Sequence, residues 1–235
     1  MEFAPLFRNL PPYVVALLLL QPLAGCSDQN SAANRSTNVQ TAAEPTPKAT
    51  AKLVVAFGDS LYAGYGVLPS ESFPTELQKA LTARGVSVTV QNAGVSGDTS
   101  SAGLRRLAFT LDGLTRKPDL FMVNLGGNDM LRGIAPAETR TNLIAICKEL
   151  KKRGIPIMLT GMVAAPNMGG DYARGFNPIY ADLAKKFDAT LYPFFLDGVV
   201  SDPALMQADR MHPNPHGVDV IVNKITPLVA STLGK

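Results

Sequence analysis

Short apolar segments rich in β-branched residues alternate five times with amphipathic segments between residues 52 and 235. The segment KLVVAFG is typical of a buried strand, and SFPTELQKALTARG after it has the apolar spacing of a helix. The last helix begins near Pro215, and we expect it to be interrupted or kinked at Pro227. This alternation predicts one α/β domain, a three-layer αβα sandwich with a parallel five-stranded sheet and helices on both faces.

Polar, glycine-containing loops follow the first three predicted strands. They are Gly58-Asp59-Ser60, the segment 92–98 and the segment 126–129. The carboxyl ends of parallel strands meet at one edge of the sheet, which is where sites lie in such folds. The sequence therefore predicts a functional site built from these three loops.

The first 51 residues have a different composition from the rest. Residues 1–25 contain the apolar run YVVALLLL, which is too short to span a bilayer and is typical of a secretory signal peptide. The following LAGC resembles the lipobox of bacterial lipoproteins, which implies cleavage before Cys26, lipid on that cysteine, and an exported, periplasmic, membrane-anchored protein. The alternative is an ordinary signal peptide with an incidental cysteine. Residues 26–51 contain almost no large apolar side chain, so we expect a disordered tether, with the folded domain over 52–235.

Charge and cysteine content exclude several classes of protein. The net charge is +3 without a dense Lys/Arg cluster, so nothing indicates a nucleic-acid partner. Only Cys147 accompanies Cys26, so the exported domain has no internal disulfide. We expect a monomer stabilised by its apolar core.

Ser60, at the end of the first strand, is a candidate nucleophile, and a serine hydroxyl needs a nearby base. The chain has two histidines, His212 and His216. Asp209 lies three residues before His212 and can accept its second N–H in a tight turn. Asp219 could serve His216, but both would start the last helix, where a positive imidazolium is disfavoured. We therefore favour Ser60, His212 and Asp209.

A metal site at the two histidines is disfavoured, because two prolines between them prevent one helical turn, the chain has no third histidine, and Cys147, the one cysteine of the domain, has the helical spacing of a core residue. Acyl transfer would instead require donors for a developing oxyanion. The Ser60 N–H, the Gly97 N–H and the Asn128 side-chain amide are available at the three loops.

Four sequence blocks, AFGDSLYAGYG, NAGVSGDTS, LGGNDMLRG and DRMHPN, resemble those of the SGNH (GDSL) hydrolase family. The resemblance extends from about Leu53 to the last helix and is closest to bacterial exported arylesterases and to thioesterase/lysophospholipase enzymes. It implies a flavodoxin-like sheet, a Ser60 nucleophile, a His212 base oriented by Asp209, and an oxyanion hole of Ser60, Gly97 and Asn128. It implies hydrolysis of carboxylic esters through an acyl-serine intermediate, without cofactor or metal.

The acyl group is less constrained by the sequence. Leu61, Leu131, Met168 and Met211 flank the motifs and are candidates for an apolar substrate groove, although ordinary packing would also explain them. The alternatives are a carbohydrate O-acetylesterase, which the absence of tryptophan disfavours, and a non-catalytic ligand-binding lipoprotein of the same fold. A nucleotide-binding protein is disfavoured because G-x-G-x-x-G and the Walker loop are missing.

Overall fold

A parallel sheet of five strands organises residues 51–234, the part of the chain that the computed structural model describes. The spatial order of the strands is β2-β1-β3-β4-β5, and every neighbouring pair is parallel. The strands are β1 (Lys52–Gly58), β2 (Val88–Gly94), β3 (Leu120–Asn124), β4 (Ile157–Thr160) and β5 (Thr190–Tyr192). The predicted α/β class and the five-stranded parallel sheet are confirmed.

Eight α-helices connect and cover these strands within the described range. They are α1 (Ser60–Ala63), α2 (Phe73–Ala83), α3 (Ser100–Asp112), α4 (Gly127–Leu131), α5 (Pro136–Lys152), α6 (Gly170–Phe176), α7 (Ile179–Phe187) and α8 (Pro215–Leu233). Helix α2 packs against α8, whereas α3 packs against α5 and α5 against α7. Right-handed crossovers in this strand order place these two groups on opposite faces, which gives the three layers.

The central strands are apolar over most of their length because helices cover both faces. Every residue of β3 is buried, and Val54 to Phe57 of β1 are fully buried. A strand covered on both sides cannot alternate apolar and polar residues, so a continuous apolar segment is what this sheet requires. None of the helices between residues 51 and 234 is long and apolar enough to cross a membrane.

Helix α8 differs from the sequence-based expectation. It continues from Pro215 to Leu233 and includes Pro227, so of the two expected outcomes, an interruption or a kink, the interruption is wrong. Pro227 and Asn223, whose carbonyl loses its usual helical partner, are both on the exposed face, where water can replace the missing hydrogen bond. The opposite face is held in the core by buried aliphatic side chains, including Ile221 and Ile225.

The carboxyl ends of β1, β2 and β3 lie side by side. Gly58 at the end of β1 pairs with Gly94 of β2 on one side and with Asn124 of β3 on the other. From β1 the chain crosses first to β2 and then back to β3, so this edge is a topological switch point. The three polar loops predicted to form the site start from these positions.

The predicted signal peptide, the greater part of the predicted tether and Cys26 precede residue 51. They lie outside the described residues.

Candidate active site

Ser60 is the first residue of α1, and Asp59 alone separates it from the end of β1. Asp59 caps this helix, because its Oδ1 accepts the Leu61 N–H at 3.0 Å and its backbone carbonyl accepts the Tyr62 and Ala63 N–H groups. The Asp59 N–H itself donates to the Asn124 carbonyl of β3 at 3.2 Å. The acid of the Gly-Asp-Ser sequence therefore fixes the serine at the rim of the sheet.

Gly94 allows α1 to lie against the end of β2. A Cβ atom at this position would overlap the backbone nitrogen of Ala63 and come within 2.7 Å of the Tyr62 carbonyl carbon. Because backbone atoms cannot move as side chains do, only glycine permits this close approach. The position of Ser60 thus depends on a residue that follows it by more than thirty positions.

His212 lies in the turn before α8 and reaches across to Ser60. Its Nε2 lies 2.8 Å from Ser60 Oγ, and its Nδ1 lies 2.6 Å from Asp209 Oδ2. The other carboxylate oxygen of Asp209 accepts the backbone N–H groups of Met211 and His212 at 2.9 and 3.0 Å. The structure therefore places the three predicted side chains in one hydrogen-bonded chain.

The surroundings of Asp209 favour its ionised form. Its partial burial raises the pKa, but the hydrogen bonds from His212 and from the N–H groups of Met211 and His212 outweigh burial and hold the pKa below its usual value. An ionised carboxylate at Nδ1 fixes the tautomer that leaves Nε2 able to accept the serine proton.

The other histidine is not part of this chain. His216 is exposed in the first turn of α8, and no hydrogen bond of its side chain is formed within residues 51–234. The predicted position of His216 at the start of the last helix is confirmed.

Two backbone N–H groups at the site have no hydrogen-bond acceptor in the described part of the chain. One belongs to Ser60, at the open N-terminal end of α1, and the other to Gly97, which has a φ of +84°. The carbonyl of Gly97 accepts a hydrogen bond of 2.9 Å from Arg132, which fixes the peptide on its other side. Both residues line the same cavity, so both N–H groups are available to a ligand.

Asn128, the third predicted donor, is more constrained than the sequence indicated. Its Nδ2 donates to Asp59 Oδ2 at 3.2 Å and to the Asp98 carbonyl at 3.1 Å. A substrate oxygen would have to share or replace one of these acceptors. The same contacts hold the side-chain amide at the rim of the cavity, which Asn128 lines.

Asp59 is almost completely buried beneath Asn128, with 2% of its surface exposed. Burial raises its pKa from 3.8 to about 6, although the Leu61 N–H, the positive form of His212 and the Asn128 amide each lower it. The carboxyl group is thus neutral in mildly acidic solution and ionised above about pH 6.

A largely apolar cavity of about 530 Å³ opens beside Ser60 and His212. Leu61, Leu131 and Met211, three of the four predicted groove residues, line it. Met168 does not, and this prediction is wrong: it ends a short 3₁₀ turn and packs against the core. Further apolar lining that the sequence did not predict comes from Met130, beside Leu131, and from more distant segments: Met162, Val163, Phe194, Leu196 and Val200.

A buried carboxylate that the sequence analysis did not single out supports the loop that carries Asn128. Asp129 is fully buried and accepts hydrogen bonds from the Ser100 N–H at 2.7 Å, from the Ser100 hydroxyl and from the Thr139 hydroxyl at 3.1 Å. It joins α4, next to Asn128, to the starts of α3 and α5. Its position in the Gly-Gly-Asn-Asp loop was the available signal.

Comparison with known proteins agrees with this geometry. The GDSL-like lipase/acylhydrolase family matches residues 56–220. The chain is 39% identical over 168 residues to esterase TesA of Pseudomonas aeruginosa, covering 72% of this chain and 83% of that one. It is 40% identical over 168 residues to an arylesterase of Vibrio mimicus, covering 72% and 82%.

Among solved structures, AlinE4, an SGNH-hydrolase family esterase, is 50% identical and superposes with a TM-score of 0.67, covering 78% of this chain and 97% of that one. The match to the family covers all the residues that surround the site, from Ser60 to His216. With its serine, histidine and aspartate joined at the rim of a parallel sheet, the chain belongs to the GDSL-like lipase/acylhydrolase family, the SGNH hydrolases.

Proposed function

We propose that this protein is a serine esterase in which Ser60 is the nucleophile, His212 the general base and Asp209 the residue that orients it. The observation that carries the proposal is the hydrogen-bonded chain of 2.8 Å from Ser60 to His212 and 2.6 Å from His212 to Asp209. These distances are within the range that proton transfer from a serine hydroxyl requires.

The reaction proceeds in two acyl-transfer steps. Ser60 Oγ bonds to the ester carbonyl carbon while His212 Nε2 takes the hydroxyl proton, and the imidazolium is stabilised by ionised Asp209. The bond from the acyl carbon to the alcohol oxygen then breaks, and His212 returns the proton to the leaving alcohol. A water molecule then adds to the acyl carbon as His212 takes its proton. The bond from the acyl carbon to Ser60 Oγ breaks, His212 returns the proton to Ser60 Oγ, and the acid leaves.

The oxyanion of each tetrahedral intermediate is accommodated by the N–H groups of Ser60 and Gly97. Both are directed by short, fixed backbone segments, so they need no rearrangement when the charge develops. The Asn128 amide contributes by exchanging one of its two present acceptors for the oxyanion. Removing one such donor in other enzymes costs about 3–4 kcal/mol of barrier.

The substrates we propose are aryl esters and acyl esters or thioesters with an apolar acyl chain, lysophospholipids included. The apolar lining beside Ser60 favours a hydrocarbon chain. Relatives described as an arylesterase and as thioesterase 1/protease 1/lysophospholipase L1 of Escherichia coli, the latter 37% identical over 185 residues, support this range.

We also propose that the protein is exported to the periplasm and held at a membrane by lipid on Cys26, with the domain acting as a monomer. The apolar run and the LAGC sequence before Cys26 support the anchor. Lipid labelling of the protein expressed in bacteria should be lost in Cys26→Ala, which should also become soluble. Equal labelling of both proteins would refute the anchor.

A substrate panel tests the enzymatic proposal. It contains aryl esters of graded acyl length, acyl thioesters, lysophospholipids and an O-acetylated sugar. His212→Ala should lower kcat by at least about 1,000-fold on every substrate that the wild type cleaves. His216→Ala, the matched control, should stay within about twofold. Equal losses in both variants, or a preference for the acetylated sugar, would contradict the proposal.

A further inference from the structure

Two separate segments of the chain must be held together for this site to work. The nucleophile segment, residues 58–67, carries Ser60, and the histidine turn, residues 206–214, carries His212 and Asp209. Within residues 51–234, two side-chain hydrogen bonds join these segments. One is the reacting pair Ser60–His212 itself, and the other is made by Gln207.

Gln207 spans the two segments through its side-chain amide. Its Nε2 donates to the Tyr65 carbonyl of the nucleophile segment at 2.7 Å and to the Pro213 carbonyl of the histidine turn at 2.9 Å. Its own backbone N–H donates to the His212 carbonyl at 2.8 Å. One residue therefore binds the carbonyls of His212 and of the next residue, and joins this backbone to the nucleophile segment.

The nucleophile segment is shaped to receive this amide. Gly66 has a φ of +73°, and a Cβ atom there would overlap the Gln207 side chain. Tyr65 donates its own N–H to the Ser60 carbonyl at 3.2 Å. The carbonyl that Gln207 binds therefore belongs to a residue that is directly hydrogen-bonded to the nucleophile.

The side chain of Tyr65 adds a second contact with the base. Its ring centroid lies 4.6 Å from that of His212, with the planes tilted by 38°. Because Tyr65 is 54% exposed, few other contacts hold it in place. The hydrogen bond from Gln207 to its backbone thus keeps an aromatic wall beside the imidazole.

The histidine turn cannot supply this positioning by itself. The contacts between Asp209 and His212 are made within the turn and orient the ring, but they do not set its distance from Ser60. Arg210, inside the turn, has a φ of +56°, in the left-handed region that residues with a side chain rarely adopt. The turn therefore needs a contact with another segment to keep its position relative to Ser60 at the end of the sheet.

We propose that Gln207 is a positioning residue for catalysis: it fastens the histidine turn to the nucleophile segment and so keeps His212 within proton-transfer distance of Ser60. The inference rests on the proposed function. Gln207 is given no contact with the substrate in this proposal. Loss of the Gln207 side chain should therefore lower kcat and leave KM nearly unchanged.

The test replaces Gln207 in two ways and uses a matched control. Gln207→Met keeps the length of the side chain without a donor, and Gln207→Glu keeps its shape with a carboxylate that cannot donate to the two carbonyls. The control is Gln78→Met, since the Gln78 side chain accepts one hydrogen bond, at 2.8 Å from the Val90 N–H, far from the site. The readouts are kcat and KM for an aryl ester, the rate constant of Ser60 phosphonylation, and Tm.

Both Gln207 variants should lose about 10- to 100-fold in kcat and, by the same factor, in the phosphonylation rate constant, because a misplacement of about 1 Å has that effect. KM should stay within about twofold, and Gln78→Met should keep its kcat. A fall in Tm with kcat unchanged, or a kcat loss equal to that of Gln78→Met, would overturn the inference. An inert wild type would instead refute the proposed function.

Discussion

The buried carboxyl group of Asp59 should make stability depend on pH in a specific direction. Burial raises its folded-state pKa to about 6 from 3.8, the ordinary value that applies to the unfolded chain. Between these two values the unfolded chain releases a proton that the folded protein retains. The contribution of Asp59 to the free energy of unfolding is therefore full below about pH 4 and is lost as the pH rises through about 6.

The magnitude follows from the difference between the two pKa values. Since one pKa unit is equivalent to about 1.4 kcal/mol, ionising Asp59 in the folded protein should cost about 3 kcal/mol by pH 7. Asp59→Asn removes the titration. It also places an amide donor against the Asn128 amide, which shifts the stability of the variant by an amount that does not depend on pH.

Urea unfolding of the wild type and Asp59→Asn from pH 4 to pH 8 measures the difference. The free energy of unfolding of the wild type minus that of Asp59→Asn should fall by about 3 kcal/mol across this range, with most of the change between pH 4 and 6. Asp119→Asn is the control of opposite sign: hydrogen bonds from the Leu53 N–H and Arg116 outweigh burial and hold the pKa of Asp119 below its usual value. The free energy of unfolding of the wild type minus that of Asp119→Asn should not fall as the pH rises. A flat difference for Asp59→Asn would refute the argument.

Three further substitutions test other parts of the structure. Gly94→Ala should lower the free energy of unfolding by at least about 2 kcal/mol in urea titrations, because its Cβ would overlap the Ala63 backbone. Asp129→Ala, which leaves three buried donors without an acceptor, should cost about 3 kcal/mol in the same assay. Leu131→Ser should lower kcat/KM about tenfold for long acyl esters and less than twofold for acetate, whereas Phe109→Ser, an exposed control outside the cavity, should change neither. Unchanged stability in the first two, or equal losses on both esters in the third, would contradict these expectations.

The sheet and the three hydrogen-bonded side chains of the site could be predicted from the sequence, because both depend on local patterns. Asp209 and His212 are three residues apart and meet in one turn, and Ser60 follows a strand whose apolar run is unmistakable. The chain has two histidines, so there were two candidates for the general base. Because the strands of the sheet are parallel, their carboxyl ends lie at the same edge whatever the conformation of the loops.

Other features depend on long-range packing that no local pattern encodes. Gln207 donates a hydrogen bond to the carbonyl of Tyr65, which lies 142 positions earlier in the chain. The residues next to Gln207 in the sequence do not indicate that contact. Met168 is apolar, yet it ends a short turn outside the cavity and is half-buried against the core. Likewise, the two acceptors of the Asn128 amide come from two other strand ends.

Labelling with an aryl organophosphonate measures the central claim, that His212 activates Ser60 for attack on an acyl carbonyl. The account predicts one phosphonyl group per chain, located on the peptide that contains Ser60, with esterase activity lost in proportion, and no labelling in His212→Ala on the same time scale. Ester hydrolysis that persists in a protein fully labelled at Ser60, or labelling that does not depend on His212, would contradict it.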